Sequence, residues 1–216
     1  MTASRRPADP GGADPGGADP GGADPGGAAA VGVLGKAGTW LVAVDMQHVF
    51  ADPASPWAAP RFAEIVEPVR RLAAVAGERT VWTRFVAPAE PSGSWTDYYR
   101  RWPFALLPPD AHEYAIVDDL ATLPGAHVEA TTFGKWTPEM SARVGAGAHL
   151  VVCGVSTDCC VLSTVLAAAD AGCHVEVVAD ACAGVDDASH DRALAILGLY
   201  SPMVEVVSVA DVLARG

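Results

Sequence analysis

The chain alternates short runs of β-branched residues with longer stretches in which apolar residues recur at every third or fourth position. The short runs predict strands at residues 40–44, 80–86, 127–131, 149–155, 174–179 and 204–207. The longer stretches predict helices at residues 59–76, 138–145, 158–171 and 187–199. Alternation of this kind favours a parallel sheet covered on both faces. We therefore predict an α/β fold, a three-layer α/β/α sandwich with a mostly parallel six-stranded sheet.

Residues 1–30 differ from the rest of the chain in composition. Between residues 8 and 27 the sequence Ala-Asp-Pro-Gly-Gly is repeated four times, with no apolar side chain larger than alanine. Such a segment cannot bury enough apolar surface to offset the entropy cost of ordering it. We predict a disordered low-complexity tail at residues 1–30 and a single domain at residues 31–216.

The net charge of −12 at pH 7 limits the possible partners. Negative charge repels nucleic acid and anionic membranes. No apolar run approaches the roughly 20 residues of a membrane helix, and no signal-peptide core follows Arg5 and Arg6. The sequence thus predicts a cytoplasmic protein that binds neither nucleic acid nor membranes.

The five cysteines are an odd number and include no Cys-x-x-Cys spacing, which argues against a disulfide framework and a zinc site. We expect neither a metal nor another cofactor. Cys160 follows an apolar run and lies in the predicted first turn of a helix, where the helix dipole favours a thiolate and lowers a thiol pKa of about 8.5. Cys159 points about 100° away on a helix and is predicted to pack rather than attack.

Three predicted strands are followed by a reactive side chain, namely Asp45, Lys135 and Cys160. The carboxyl ends of parallel strands lie at one edge of the sheet, so the three side chains are expected to meet there. A carboxylate can take the thiol proton, an ammonium group can hold the thiolate, and the thiol can attack. Taken singly, each residue also has a structural interpretation, as a helix cap, a solvated lysine or a small buried side chain.

The segment of residues 87–123 interrupts the alternation and is too long for an ordinary connection. Its aromatic residues either form the walls of a pocket or pack the segment onto the domain or a second subunit. These residues are Trp95, Tyr98, Tyr99, Trp102 and Phe104.

Three motifs occur in a diagnostic order: Asp-x-Gln-x-x-Phe at residues 45–50, an isolated Lys135, and Gly-Val-x-Thr-Asp-x-Cys-Val at residues 154–161. Together they resemble the isochorismatase-like cysteine hydrolases, a superfamily with a Rossmann-like fold, over about residues 38–211. Residues 180–184 and His190 resemble the structural signature of that family, so His190 is interpreted as structural.

The resemblance implies a role for each matched residue. Asp45 would be the general base, Lys135 its charge partner and Cys160 the nucleophile. The bond Val155–Ser156 matches the position of a cis peptide, and the N–H groups of Ser156 and Cys160 would form an oxyanion hole. The family commonly forms dimers or tetramers, so a homo-oligomer is expected.

The substrate pocket is expected near these residues. Arg84 is either a ligand for a substrate carboxylate or part of a salt bridge within the fold. Nicotinamidases of the superfamily carry a metal-binding histidine set after the second strand, but residues 82–88 contain no histidine, which disfavours that activity. The predicted pocket residues are Gln47, Phe50, Arg84, Trp95, Tyr98, Trp102 and Trp136.

Four functions are compatible with this reading. The first is a cysteine hydrolase that cleaves a C–N bond of a small-molecule amide or ureide through a thioester and releases ammonia. The second is an isochorismatase-type hydrolase that protonates a vinyl ether and releases pyruvate. The third is a non-catalytic protein that retains the fold, which a thiol no more reactive than free cysteine would support. The fourth is a redox sensor that uses Cys159 and Cys160, which their strained disulfide ring disfavours.

Overall fold

A computed structural model describes residues 33–215, so the predicted tail at residues 1–30 lies outside the described residues. The described part contains one six-stranded sheet in the order β3-β2-β1-β4-β5-β6. Its strands are β1 (Thr39–Val44), β2 (Thr80–Phe85), β3 (Ala126–Ala130), β4 (His149–Val155), β5 (His174–Ala183) and β6 (Val204–Val207).

Every strand pair in this sheet is parallel, which refines the prediction of a mostly parallel sheet. The central strands β1 and β4 are buried along almost their whole length, because helices cover both faces of a parallel sheet. The chain moves outward from β1 through β2 to β3 and then from β4 through β5 to β6. The order therefore reverses between β1 and β4, and in open α/β sheets a ligand crevice lies at the carboxyl ends of the two strands at such a point.

Helices pack on both faces, which confirms the predicted three-layer α/β/α sandwich. The second helix buries Phe62, Ile65, Val69 and Leu72 at helical spacing against the sheet. The helices are α1 (His48–Ala51), α2 (Phe62–Ala76), α3 (Ser94–Arg101), α4 (Asp118–Ala121), α5 (Pro138–Val144), α6 (Leu162–Asp170), α7 (Asp187–Gly198) and α8 (Val209–Ala214). Single 3₁₀ turns lie at Val33–Gly35, Gly77–Arg79, Pro103–Ala105 and His112–Tyr114.

Several local features differ from the sequence-based prediction, which did not include the short helices α1 and α8. Strand β5 was predicted to end at residue 179 but continues to Ala183. Residues 180–183 of the family signature therefore belong to the strand. Residues 87–123 contain α3, α4 and two 3₁₀ turns, in place of an irregular loop. The turn predicted to open the helix after β4 is a π-helical turn at Thr157–Val161, which precedes α6.

Gly154 allows β1 and β4 to approach at the edge that carries the crevice. It has a φ of 109°, and a Cβ atom added there would lie 2.1 Å from the carbonyl oxygen of Val44. Any side chain would therefore push the two strand ends apart. Gly154 thus fixes the distance between the residues that follow these strands.

Within residues 33–215, no helix is sufficiently long and apolar to cross a bilayer.

Candidate active site

Asp45 lies immediately after β1 and is completely buried. Its φ is 49°, in the left-handed region, where the chain turns away from the sheet. The Oδ1 atom accepts a hydrogen bond of 2.7 Å from the Thr83 hydroxyl, and that hydroxyl accepts one of 3.1 Å from the Asp45 N–H. The Oδ2 atom forms an ion pair with Lys135 Nζ at 3.1 Å. Oδ1 is thus held by a hydrogen bond, whereas Oδ2 has the ion pair with Lys135 but no hydrogen bond within the described residues.

Lys135 is also completely buried, which is rare for a lysine and requires compensation of its charge. Besides the ion pair with Asp45, Nζ donates a hydrogen bond of 2.8 Å to the Thr132 carbonyl oxygen and lies 4.9 Å from the centre of the Phe85 ring. Its backbone N–H donates to the Thr164 hydroxyl, which donates in turn to the Cys160 carbonyl oxygen at 2.6 Å. This pair of bonds ties Lys135 to the turn that carries the thiol.

Cys160 lies in the π-helical turn after β4 and is 4% exposed. The N–H groups on either side of it, those of Cys159 and Val161, donate to the carbonyl oxygen of Ser156. The Val155–Ser156 peptide bond is cis. The two hydrogen bonds to Ser156 hold the backbone of the turn on both sides of Cys160. Ser156 and Cys160 line the same cavity.

Burial raises the pKa of the Cys160 thiol well above its usual range, and the nearby Asp45 carboxylate raises it further. Lys135 lowers the pKa by a smaller amount. The sequence-based expectation of a lowered thiol pKa is therefore wrong, because it considered the helix dipole without the cost of desolvating a thiolate. The raised pKa favours the thiol over the thiolate at neutral pH.

Neighbouring residues hold the π-helical turn in place. The Thr157 hydroxyl lies 2.8 Å from His190 Nδ1 on α7, and Asp158 Oδ1 accepts a hydrogen bond of 3.0 Å from the N–H of Val185. A Cβ atom at Gly184 would lie 2.9 Å from that carboxylate oxygen. His190 is buried against the turn, in agreement with its interpretation as structural.

Cys160 opens into a cavity of about 360 Å³ whose walls are mainly apolar and aromatic. Trp57 is the central ring of these walls, with ring centroids 5.6 Å from Phe85 and 5.8 Å from Tyr98. The lining residues are Phe50, Pro56, Trp57, Ala58, Phe85, Tyr98, Trp102, Phe133, Ser156, Cys159, Cys160 and Val185.

The structure brings several predicted site residues to this cavity, namely Phe50, Tyr98, Trp102, Ser156 and Cys160. Trp95 lies behind the wall, with its ring centroid 5.2 Å from that of Tyr98 and 5.1 Å from that of Phe133. Cys159 packs against the core as predicted, and it also lines the cavity.

Besides Trp95, which does not line the cavity and corrects the prediction, three predicted pocket residues lie elsewhere. The Gln47 side chain is completely buried. It donates hydrogen bonds to the carbonyl oxygens of Phe85 and Tyr114 and accepts one from the Phe85 N–H, so it joins β2 to the segment of residues 87–123. Arg84 forms a salt bridge with Glu129 at 2.7 Å, which is the second of the two roles considered for it, in place of binding a substrate carboxylate. Trp136 packs against the hydrophobic core. All three are corrections to the predicted pocket.

Sequence reasoning missed half of the cavity wall. Phe85 ends β2, and Phe133 lies between the end of β3 and Lys135, so their positions at the carboxyl edge of the sheet could have identified them. Trp57 lies between α1 and α2, where no sequence pattern marks a residue for the site. The other missed residues are Pro56, Ala58 and Val185.

In residues 33–215, no group of three or more His, Cys, Asp and Glu side chains is arranged to hold a metal ion.

A model of the isochorismatase domain matches residues 39–211 of the chain. The chain belongs to the isochorismatase family. This family consists of hydrolases, and the protein is accordingly assigned to the hydrolase class. The family's cysteine hydrolases are the members that the predicted residues resemble.

Several solved structures share the fold of this isochorismatase-family protein. A cysteine hydrolase from Pseudomonas syringae pv. phaseolicola 1448A has a TM-score of 0.70 at 22% identity, over 82% of this chain and 91% of that one. An isochorismatase-like hydrolase from Alkaliphilus metalliredigens has a TM-score of 0.66 at 16% identity, over 82% and 96%. A nicotinamidase/pyrazinamidase from Bacillus subtilis has a TM-score of 0.64 at 19% identity, over 79% and 99%. No curated protein matches the chain significantly.

Proposed function

We propose that this isochorismatase-family hydrolase cleaves a C–N bond of a small amide or ureide through a thioester on Cys160 and releases ammonia. One observation carries the proposal: a buried carboxylate, itself paired with a buried lysine, lies beside the Cys160 thiol at the wall of a cavity, and burial raises the pKa of that thiol. A protonated thiol is a poor nucleophile, so a neighbouring base has to remove its proton during attack. Asp45 is that base.

In the first half of the reaction, Asp45 takes the thiol proton while Cys160 Sγ attacks the carbonyl carbon. The carbonyl electron pair moves onto oxygen, and the N–H groups of Ser156 and Cys160 stabilise the oxyanion. Protonated Asp45 then gives its proton to the departing nitrogen, the C–N bond breaks, and ammonia leaves. The acyl group remains on sulfur as a thioester.

In the second half, Asp45 takes a proton from water, whose oxygen attacks the thioester carbon. Collapse of the tetrahedral species breaks the C–S bond, and the proton returns from Asp45 to sulfur. Lys135 takes no part in the proton transfers. Its ion pair with Asp45 holds that carboxylate in place, and its charge stabilises the thiolate that develops as Asp45 takes the proton.

The vinyl-ether reaction is the alternative. A vinyl ether that yields pyruvate carries the carboxylate of that pyruvate, which needs a cation or several N–H donors when buried. The lining residues include no Lys, Arg or His, and Arg84 is held by Glu129 outside the cavity. The composition of the wall therefore supports the amide reaction over this alternative.

The deciding experiment measures ammonia release from a panel of small amides and ureides, with pyruvate release from isochorismate as a counter-assay. Cys160→Ala should abolish ammonia release, whereas the matched variant Cys159→Ala, which removes the adjacent thiol of the same cavity, should retain it. Pyruvate without ammonia would move the function to the vinyl-ether reaction. Neither product from a folded protein would favour a non-catalytic role.

The homo-oligomer that the resemblance implies, and the cytoplasmic location, remain predictions. Light scattering coupled to size-exclusion chromatography tests the first.

A further inference from the structure

We infer, on the basis of the proposed amide hydrolysis, that the substrate is an uncharged primary carboxamide whose acyl group is a flat, apolar carbocycle. The polar atoms of such a molecule are confined to the group that reacts. The cavity offers polar partners at that group, and elsewhere its side chains offer only the Tyr98 hydroxyl and the indole N–H groups of Trp57 and Trp102.

The first step concerns charge. The ionisable groups on the cavity wall are limited to two thiols and the Tyr98 phenol, and burial raises the pKa of each of the three. All three are thus neutral in the resting cavity. The nearby charges of Asp45 and Lys135 are fully buried and compensate each other at 3.1 Å. A carboxylate or ammonium group on the substrate would lose its hydration without gaining a counter-charge.

The second step concerns shape. Trp57 makes edge-on contacts with Phe85 and Phe104, at interplanar angles of 79° and 71°, and stacks with Phe50 at 12°. Each ring is thereby held by its neighbours, so the wall is formed before a ligand binds. A volume of about 360 Å³ is near the lower limit for ligand pockets, which suits a single ring with a carboxamide.

The third step concerns the polar atoms outside the scissile group. A ureide carries a second nitrogen with N–H donors, and a pyridine ring carries a nitrogen acceptor. Away from the thiol and Ser156, much of the wall consists of the rings of Phe50, Phe85 and Phe133, which offer no hydrogen-bond partner. The polar groups there are the Tyr98 hydroxyl and the indole N–H groups of Trp57 and Trp102. A second polar atom that meets the phenylalanine rings instead of one of these groups stays unpaired and reduces affinity, so these compounds should be poorer substrates than benzamide.

The test compares kcat/KM for ammonia release from benzamide, nicotinamide, 4-carbamoylbenzoate and a small ureide. Benzamide should exceed 4-carbamoylbenzoate by about 100-fold or more, because the anion has no counter-charge in the cavity. Val185→Lys adds a cation at the rim, where Val185 is 47% exposed, and should raise the ratio of 4-carbamoylbenzoate to benzamide activity.

A second variant tests the aromatic wall. Trp57→Ala should lower the ratio of benzamide to acetamide kcat/KM by about 10-fold or more, since acetamide does not fill the space between the rings. An unchanged circular dichroism spectrum and an unchanged thermal unfolding midpoint would show that the variant folds.

Two outcomes would overturn the inference, and they differ in what else they affect. Ammonia release that depends on Cys160 but is fastest with the anion, nicotinamide or the ureide would overturn this substrate class and leave the proposed function intact. A lack of Cys160-dependent ammonia release from every compound would overturn both.

Discussion

At the scale of single residues, the site combines a protonated thiol with a fully buried ion pair. Sequence analysis located all three side chains, because the carboxyl ends of parallel strands share one edge. It did not anticipate the protonation state of Cys160. Burial depends on the packing of the whole chain around a residue, and a local motif does not specify it.

The raised pKa of Cys160 predicts slow alkylation at neutral pH. We expect iodoacetamide to modify Cys160 more slowly than free cysteine near pH 7, with a rate that continues to rise above the ordinary thiol pKa of about 8.5. Peptide mass spectrometry of the folded protein across pH measures this. Rapid modification near pH 7 would contradict the raised pKa. Because the raised pKa alone accounts for slow alkylation, a slowly reacting thiol does not indicate a non-catalytic protein. The ammonia assay has to distinguish a catalytic from a non-catalytic protein.

The buried lysine predicts a joint loss of activity and stability. Lys135→Met removes the partner of Asp45 Oδ2 and leaves a buried carboxylate uncompensated, which costs about 3–5 kcal/mol of unfolding free energy. The substitution should also raise the pKa of Cys160, because Lys135 lowers it in the native site. Urea unfolding and ammonia release measure the two effects.

The matched control for this variant is Arg70→Met. It breaks the exposed ion pair with Glu67, which solvent screens, and should leave the free energy of unfolding nearly unchanged. Equal losses of unfolding free energy in the two variants would show that the buried ion pair contributes no more to stability than the exposed one.

At the scale of elements, the strands were predictable and the turn that carries the thiol was not. β-Branched runs gave all six strands, since a sheet buried on both faces requires continuous apolar sequence. The π-helical turn at Thr157–Val161 depends on Thr157 meeting His190 and on Asp158 meeting Val185, contacts between segments about 30 residues apart. No local pattern encodes such contacts, and the position of Trp57 is unpredictable for the same reason.

The close approach of β1 and β4 predicts the effect of a single methyl group. Gly154→Ala should prevent accumulation of folded protein, because its Cβ would overlap the Val44 carbonyl oxygen. Gly147→Ala is the matched control: its φ is also positive, at 68°, but nothing lies within 4 Å of the added atom. That variant should lose only about 1–2 kcal/mol. Soluble yield and thermal unfolding compare them, and similar behaviour of both would contradict the steric argument.

At the scale of the whole molecule, an ion pair connects the residue after α8 to the sheet. Glu176 on β5 is buried, and Arg215, which follows α8, donates two hydrogen bonds to its carboxylate. Burial raises the pKa of Glu176, but His149 and Arg215 together outweigh it, so the pKa is lowered overall. A lowered carboxylate pKa contributes stability above the unfolded-state pKa of about 4.3, and this contribution is lost as pH falls through the folded-state value.

Glu176→Gln should therefore flatten the loss of stability below about pH 4.3. Glu205→Gln is the control, since Glu205 is the exposed neighbour of Glu176 in the strand register. Urea midpoints measured from neutral to acidic pH should separate the two variants. The same acid dependence in Glu176→Gln and the unaltered protein would refute the role of this pair.

The uncharged cavity wall has a consequence for how the substrate arrives. A protein with a net charge of −12 has an electric field that slows the approach of anions and speeds that of cations, and added salt weakens both effects. A neutral carboxamide does not feel this field, and the wall adds no local charge to attract it. We therefore expect kcat/KM for such a substrate to be independent of ionic strength, so that encounter is governed by diffusion and by the shape of the entrance alone.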